Sequence, residues 1–148
     1  MKWKALLFVF TSVTTLAYSQ KIDEEIAIKK LLEKESATWR SRDVEGHKAC
    51  WHIRPYSRIL VSKPDEQTQD VPLSSKQNIN PENMGNGGFA IHSNIKMSIT
   101  NNNAWVSHDE VATDADGKRS WSYEIRLLEK IKGQWKLVGQ SIHIYKKE

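Results

Sequence analysis

The sequence predicts an α+β domain in which helices come first and an antiparallel sheet follows. Three observations carry this. Early in the chain Ile28, Leu31, Leu32, Glu35 and Trp39 recur at spacings of three and four, which places them on one helix face. From Phe89 onward the pattern changes to alternation: Ile91, Ser93, Ile95, Met97 and Ile99 fall on every second position. Asn, Asp and Gly then punctuate the chain at 101–103, 114–117 and 132–133, as hairpin turns require. Helices first and a meander second is the α+β order.

The first element is expected to be removed. Lys2 and Lys4 form a positive start, Ala5 to Phe10 is unbroken apolar, and Val13 to Ala17 extends it. Ala17-Tyr18-Ser19 offers small residues at both positions a signal peptidase reads, so residues 1–19 read as a signal peptide cut before Gln20. A membrane anchor needs about 20 apolar residues, and this segment is shorter and richer in Ser and Thr. The expectation is export to the periplasm or beyond the cell, with no stable anchor after cleavage. Residues 20–148 then form one domain with one core.

Asp23 is the expected N-cap of the first domain helix, with Glu24 and Glu25 in its positive first turn and its end near Arg42. Asp43 caps a second helix over Val44 to Trp51, and Pro55 stops it. Ile59-Leu60-Val61 reads as a short strand. Residues 62–88 hold Pro64, Pro72, Pro81 and Gly85-Asn86-Gly87-Gly88 and read mostly as loop. Strands follow over Phe89 to Thr100, Ala104 to Thr113, Ser120 to Ile131 and Gln134 to Lys146.

Charge narrows the partners. The chain has 22 basic and 18 acidic residues, a net +4. Losing Lys2 and Lys4 leaves 20 against 18, so the cleaved protein is only weakly basic. No dense Lys/Arg stripe is present, which argues against nucleic acid. Cys50, the single cysteine, sits beside Ala49 and Trp51 and reads as a buried thiol.

The C-terminal half carries a resemblance. Glu124-Ile125-Arg126-Leu127-Leu128-Glu129-Lys130 followed by Gly133-Gln134-Trp135-Lys136-Leu137-Val138 resembles the closing hairpin of nuclear-transport-factor-2-like domains. Trp39-x-x-x-Asp43 and Trp51 resemble that superfamily's opening helices, and Ala104-Trp105-Val106-Ser107 its middle strand. The similarity spans about residues 22–145. The superfamily includes SnoaL-like polyketide cyclases, ketosteroid isomerase, scytalone dehydratase and the association domain of calmodulin-dependent kinase. The resemblance implies a cone, in which a curved sheet wraps around helices and leaves a pocket at its wide end. It also implies a homodimer packed sheet to sheet. This chain departs from the pattern: Gly139 and Ser141 stand where final-strand histidines are usual, and Arg54-Pro55-Tyr56-Ser57-Arg58 has no carboxylate. A positioned acid/base pair is what isomerase or dehydratase chemistry needs.

Alternation sorts the strand residues. By resemblance the Arg126 side chain points into the pocket, which takes Glu124 and Gln140 with it, and His108 and Glu110 on the neighbouring strand. Trp39, Trp51 and Tyr56 are the expected aromatic walls. Such a cluster suits a small polar or anionic molecule, with Arg126 forking to a carboxylate. The same residues read equally well as a buried ion pair that positions strands. For catalysis, His108 with Glu110 or Glu124 is the candidate proton-transfer pair. Trp121, Tyr123, Ile125, Leu137 and Tyr145 fall on the outer face, where a second copy would cover them.

Other features read as plain structure. His108-x-Glu110 gives too few ligands for a metal, His47 and His52 share no helix face, and Asp114 to Gly117 is a turn. His143 falls on the outer face, and Trp105 and Trp135 read as packing residues. Gly85 to Gly88 lacks a phosphate loop's lysine. No cofactor is implied. Three functions follow: a non-catalytic domain binding a small molecule, a cofactor-free SnoaL-like acid/base enzyme, or an interaction or immunity-type scaffold.

Overall fold

A computed structural model describes the backbone of residues 4–64 and 67–148, and the side chains of 20–64, 67–75 and 78–148. Two compact units divide the chain, Met1–Lys30 and Leu31–Glu148. The first is helical. The second holds the sheet, the second helix and the C-terminal end of the first.

Helix α1 spans Lys4–Arg40, so Asp23 lies inside it and not at its start. The physical reason is the absence of a breaker. Nothing between Ala17 and Asp23 is Gly or Pro, so N–H groups at 23–26 find carbonyls one turn back and need no cap. Residues 1–3 and the side chains of 4–19, including the expected cleavage site, lie outside the described residues. No helix among the described residues is long and apolar enough to cross a membrane.

Helix α2, Val44–Ala49, starts where expected: the Asp43 carboxylate accepts the Gly46 N–H at 2.8 Å. It stops two residues short of Trp51. Trp51 instead bridges to Leu137 of the sheet, and His52 N–H donates to Leu137 O at 2.8 Å. Strand β1 is Ile59–Ser62. The segment expected as loop has more order: β2 at Gln69–Asp70, α3 at Ser74–Gln77 and a 3-10 turn at Pro81–Asn83, entered through the Asn80 side chain.

Strands β3 (Phe89–Thr100), β4 (Asn103–Thr113), β5 (Arg119–Ile131) and β6 (Gln134–Lys147) form the expected antiparallel meander. The sheet order is β2-β1-β6-β5-β4-β3, with β1 parallel to β6, so it is mixed. Register shifts interrupt it between Ser93 and Lys96, Trp121 and Ser122, and Leu127 and Leu128. Each shift bends its strand and curves the sheet. Asn94 takes φ 51 at the first of them, a conformation Asn tolerates better than most residues. Gly88, at φ +80, admits β3 beside β4: a Cβ there would sit 1.9 Å from Thr113 O.

One face of the meander is buried and the other open. Along β5, Ser122, Glu124, Arg126 and Leu128 are buried while Tyr123, Ile125 and Leu127 are exposed. The core of the second unit includes Leu32, Cys50, Trp51, Ile59, Val106, Leu128, Trp135 and Leu137. Leu137 corrects the expected outer face: it is fully buried. The shift between Leu127 and Leu128 changes the phase of β6, so Leu137 and Val138 are both inside.

Candidate functional site

The buried face of the second unit encloses a cavity of about 1000 Å³. Its floor is a polar cluster built from three strands and one helix. β5 supplies Glu124 and Arg126, two residues apart and thus on the same face. β6 supplies Gln140, directly opposite Arg126, and β4 supplies Glu110, opposite Ser122. From α1, Glu35, Ser36, Trp39 and Arg40 share the cavity because they recur one helical turn apart. Apolar walls come from Trp39, Ile59, Val61, Ile142 and Ile144.

Arg126 is the centre of this cluster and is 4% exposed. Its Nη2 donates to Glu124 Oε2, its Nη1 donates to Gln140 Oε1, and Glu35 Oε2 lies 3.8 Å from Nη1. Its Nε is buried without a partner. Burial acts against its charge, but Glu124, Glu35 and Glu110 together hold the guanidinium above its ordinary range. Glu124 also accepts from Ser122 Oγ at 2.8 Å. Burial pushes its carboxyl above the usual carboxylate range, and Glu110 and Glu35 add to that against the pull of Arg126. The buried pair read from the sequence therefore exists and borders the cavity at the same time.

Glu110 behaves in the opposite way. Burial raises it, but the hydrogen bond and charge of His92, with the charges of Arg126 and His108, hold it below the usual range. His92 Nε2 stands 2.8 Å from Glu110 Oε2, and Ser36 Oγ donates to the same oxygen at 3.3 Å. Arg40 Nη1 in turn donates to Ser36 Oγ. Two carboxyls in one cavity are thus pushed apart, Glu110 towards the ionised form and Glu124 towards the neutral one.

Three expected site residues lie elsewhere. His108 is buried behind the cavity wall and not on it. Its Nε2 lies 3.7 Å from Glu124 Oε2, beyond a hydrogen bond, and its ring lies 4.8 Å from that of His92. Burial, then the charges of Arg126 and His92, lower it to about 4. Trp51 packs beneath the floor, where Nε1 donates to Glu35 Oε1 at 3.3 Å. Tyr56 is exposed and its hydroxyl donates to Glu129, away from the cavity, because α2 ends early and the following chain turns outward. Trp39, Glu110, Glu124, Arg126 and Gln140 are brought together as expected. Glu35, Ser36, Arg40 and His92 were not anticipated at the site. His47, set aside in the sequence, is buried and supports Glu35 from behind: its Nδ1 lies 3.4 Å from Glu35 O and 3.7 Å from Glu35 Oε1. Among the described residues no group of three or more His, Cys, Asp or Glu could hold a metal. Cys50 is buried, and burial raises its thiol.

Solved structures share this architecture. A nuclear-transport-factor-2-like protein of unknown function from Shewanella baltica superposes with a TM-score of 0.62 at 17% identity, over 84% of this chain and 96% of its own. The chain has the nuclear-transport-factor-2-like fold. A candidate scytalone dehydratase from Novosphingobium aromaticivorans shares the same fold with a TM-score of 0.64 at 14% identity, over 88% of this chain and 90% of its own. A type 2 hexachlorocyclohexane dehydrochlorinase, LinA, gives 0.60 at 12% identity, over 86% and 89%. No family model and no curated protein matches the sequence. Within a nuclear-transport-factor-2-like fold the cavity lies where a curved sheet faces its helices, and a fold of this kind does not by itself confer an activity.

Proposed function

We propose that the second unit, Leu31–Glu148, is a binding domain for a small molecule with an apolar body and a polar head. One observation carries this: a cavity of about 1000 Å³ with apolar walls and a hydrogen-bonding floor. Ligand sites of about 300–1,000 Å³ have this make-up of mostly apolar lining and a few placed polar groups. Body contacts fall to Trp39, Ile59 and Ile142, and head contacts to Glu110, Glu124, Arg126 and Gln140. The test uses 2-naphthol as a fluorescent probe and Ala112→Trp as a plug in the wall. Binding to the native chain, lost in a folded A112W variant, supports the reading. Equal binding to both, or to neither, counts against it.

A second reading is cofactor-free acid/base chemistry, and the His92–Glu110 contact at 2.8 Å favours it. Similarity to a dehydrochlorinase and a candidate dehydratase adds to it. His92→Gln would then abolish turnover of a small-molecule substrate while leaving 2-naphthol binding in place.

We also propose that the outer sheet face pairs with a second copy. Tyr123, Ile125, Leu127 and Tyr145 are exposed there, and the rings of Tyr123 and Tyr145 stack at 4.5 Å. Trp121, also expected there, is half-buried with the Lys146 ammonium 4.3 Å from its ring centroid. Ile125→Glu should convert a sedimenting dimer to monomer; a native monomer at micromolar concentration would end this proposal. Residues 1–19 are proposed to direct export, which mass spectrometry of the secreted chain would test by an N-terminus at Gln20.

A further inference from the structure

The guanidinium expected to receive an anionic ligand is already engaged. Arg126 meets Glu124, Gln140 and Glu35, and each is a protein partner. A ligand carboxylate at Arg126 would have to displace a buried one. Arg40 is in the opposite position. It borders the same cavity from the last turn of α1. Its hydrogen-bond partner is a neutral hydroxyl, Ser36 Oγ; its Nε, like that of Arg126, is buried without a partner. Among the described residues it makes no ion pair.

The cavity mouth extends this imbalance. Lys118, Arg119 and Lys147 border it, and none makes an ion pair among the described residues. Two acids stand beside them. Asp114 Oδ1 accepts the N–H groups of Asp116 and Lys118 at 2.9 Å each, and Glu148 pairs with Lys146. On the floor, Glu124 and Glu35 face Arg126, and Glu110 Oε2 has its contacts with His92 Nε2 and Ser36 Oγ. The cations around the cavity that make no ion pair among the described residues are therefore Arg40 and, at its mouth, Lys118, Arg119 and Lys147.

We infer that the ligand is a small amphipathic organic anion whose acidic group is held by Arg40, with Lys118, Arg119 and Lys147 drawing it to the mouth. This rests on the cavity-binding reading above and names its ligand class. A planar fork of N–H donors is suited to a carboxylate, and Arg40 borders the cavity with a single hydrogen bond, from Nη1 to Ser36 Oγ, among the described residues. Apolar walls would take the body of the molecule. Exposed cations at the mouth act mainly on the encounter rate, so that part of the effect weakens with salt.

The experiment compares 2-naphthoate with 2-naphthol, an anion and a neutral molecule with the same ring system. The native chain should bind naphthoate at least tenfold more tightly than naphthol. Arg40→Met should remove that preference and leave naphthol affinity unchanged, and Arg40→Lys should restore part of it. Arg119→Gln, at an exposed position that cannot disturb the core, should slow naphthoate association and flatten its salt dependence. If naphthol binds but naphthoate is not preferred, or R40M weakens both equally, the anion assignment is overturned while the cavity reading stands. If neither probe binds, both fall together.

Discussion

Removing Arg126 gives the sharpest test of how the buried cluster is held together. In Arg126→Met the side-chain volume is nearly kept, but Glu124 Oε2 and Gln140 Oε1 lose their donor, and Glu35 Oε2 loses its nearest cation. Glu124 is 3% exposed and Glu35 5%, so both carboxylates stay largely shielded from bulk water. Breaking a buried pair by deleting one partner costs about 3–5 kcal/mol. Single domains have about 5–15 kcal/mol in all, so the variant should fold but lose much of its margin. The sign of the pH effect follows from proton linkage. Without Arg126 the folded-state value of Glu124, already raised by burial, rises further above its unfolded one. Such groups stabilise below the unfolded value and lose that contribution as pH climbs through the folded one. The deficit of R126M should therefore be larger at pH 8 than at pH 5. Urea unfolding followed by Trp fluorescence at both pH values measures it. Adding Glu124→Leu removes one orphaned carboxylate and should recover about 0.5–3 kcal/mol, the usual size of coupling between contacting residues. If R126M costs less than about 1 kcal/mol at pH 8, or the double variant is no more stable than the single, Arg126 does not neutralise this cluster.

Two further outcomes are expected. His108 is lowered to about 4 in the folded chain, so between pH 6.5 and about 4 the unfolded state binds the extra proton. Stability should fall as pH drops through that window, and less steeply in His108→Gln; an NMR titration midpoint near 6.5 for His108 would contradict this. Asp23 is exposed in mid-helix in the full chain, and would stand near the helix start in a chain that begins at Gln20. Asp23→Ala should cost about 1 kcal/mol in the 20–148 chain and nothing in the full one; equal thermal shifts in both would show that Asp23 never caps.

The strands were legible because each has two independent signals, alternation and a turn residue at its end. Phe89–Thr100 has the same bounds in sequence and structure. What alternation cannot carry is phase across a bulge. Counting along β6 places Leu137 outside with Gly139 and Tyr145, yet the register shift opposite Leu127 and Leu128 turns Leu137 inward. The start of α1 was misplaced for a related reason. Asp23 has the chemistry of a cap, but a cap operates only where the helix begins, and here α1 already begins at Lys4.

The missed site residues share a single cause: each is placed by register between distant elements. Pairing β3 to β4 outward from Thr100 and Asn103 puts Val111 opposite His92. The bulge between Ser93 and Lys96 moves Glu110 there instead, and this creates the 2.8 Å contact. Asn94 was the local signal, since Asn is among the residues that accept positive φ within a strand. Arg40 had a signal too. It lies one position after Trp39 and one turn after Ser36, so a helix face that puts Trp39 in the cavity brings Arg40 to its edge. The sequence reading assigned the anion to Arg126 because the family resemblance points that side chain into the pocket, and alternation along β5 takes Glu124 with it. An inward arginine in a sheet also flanked by inward glutamates is the one whose charge is answered first. The cation that remains for a ligand is the one whose neighbours are hydroxyls, and in this cavity that description fits Arg40.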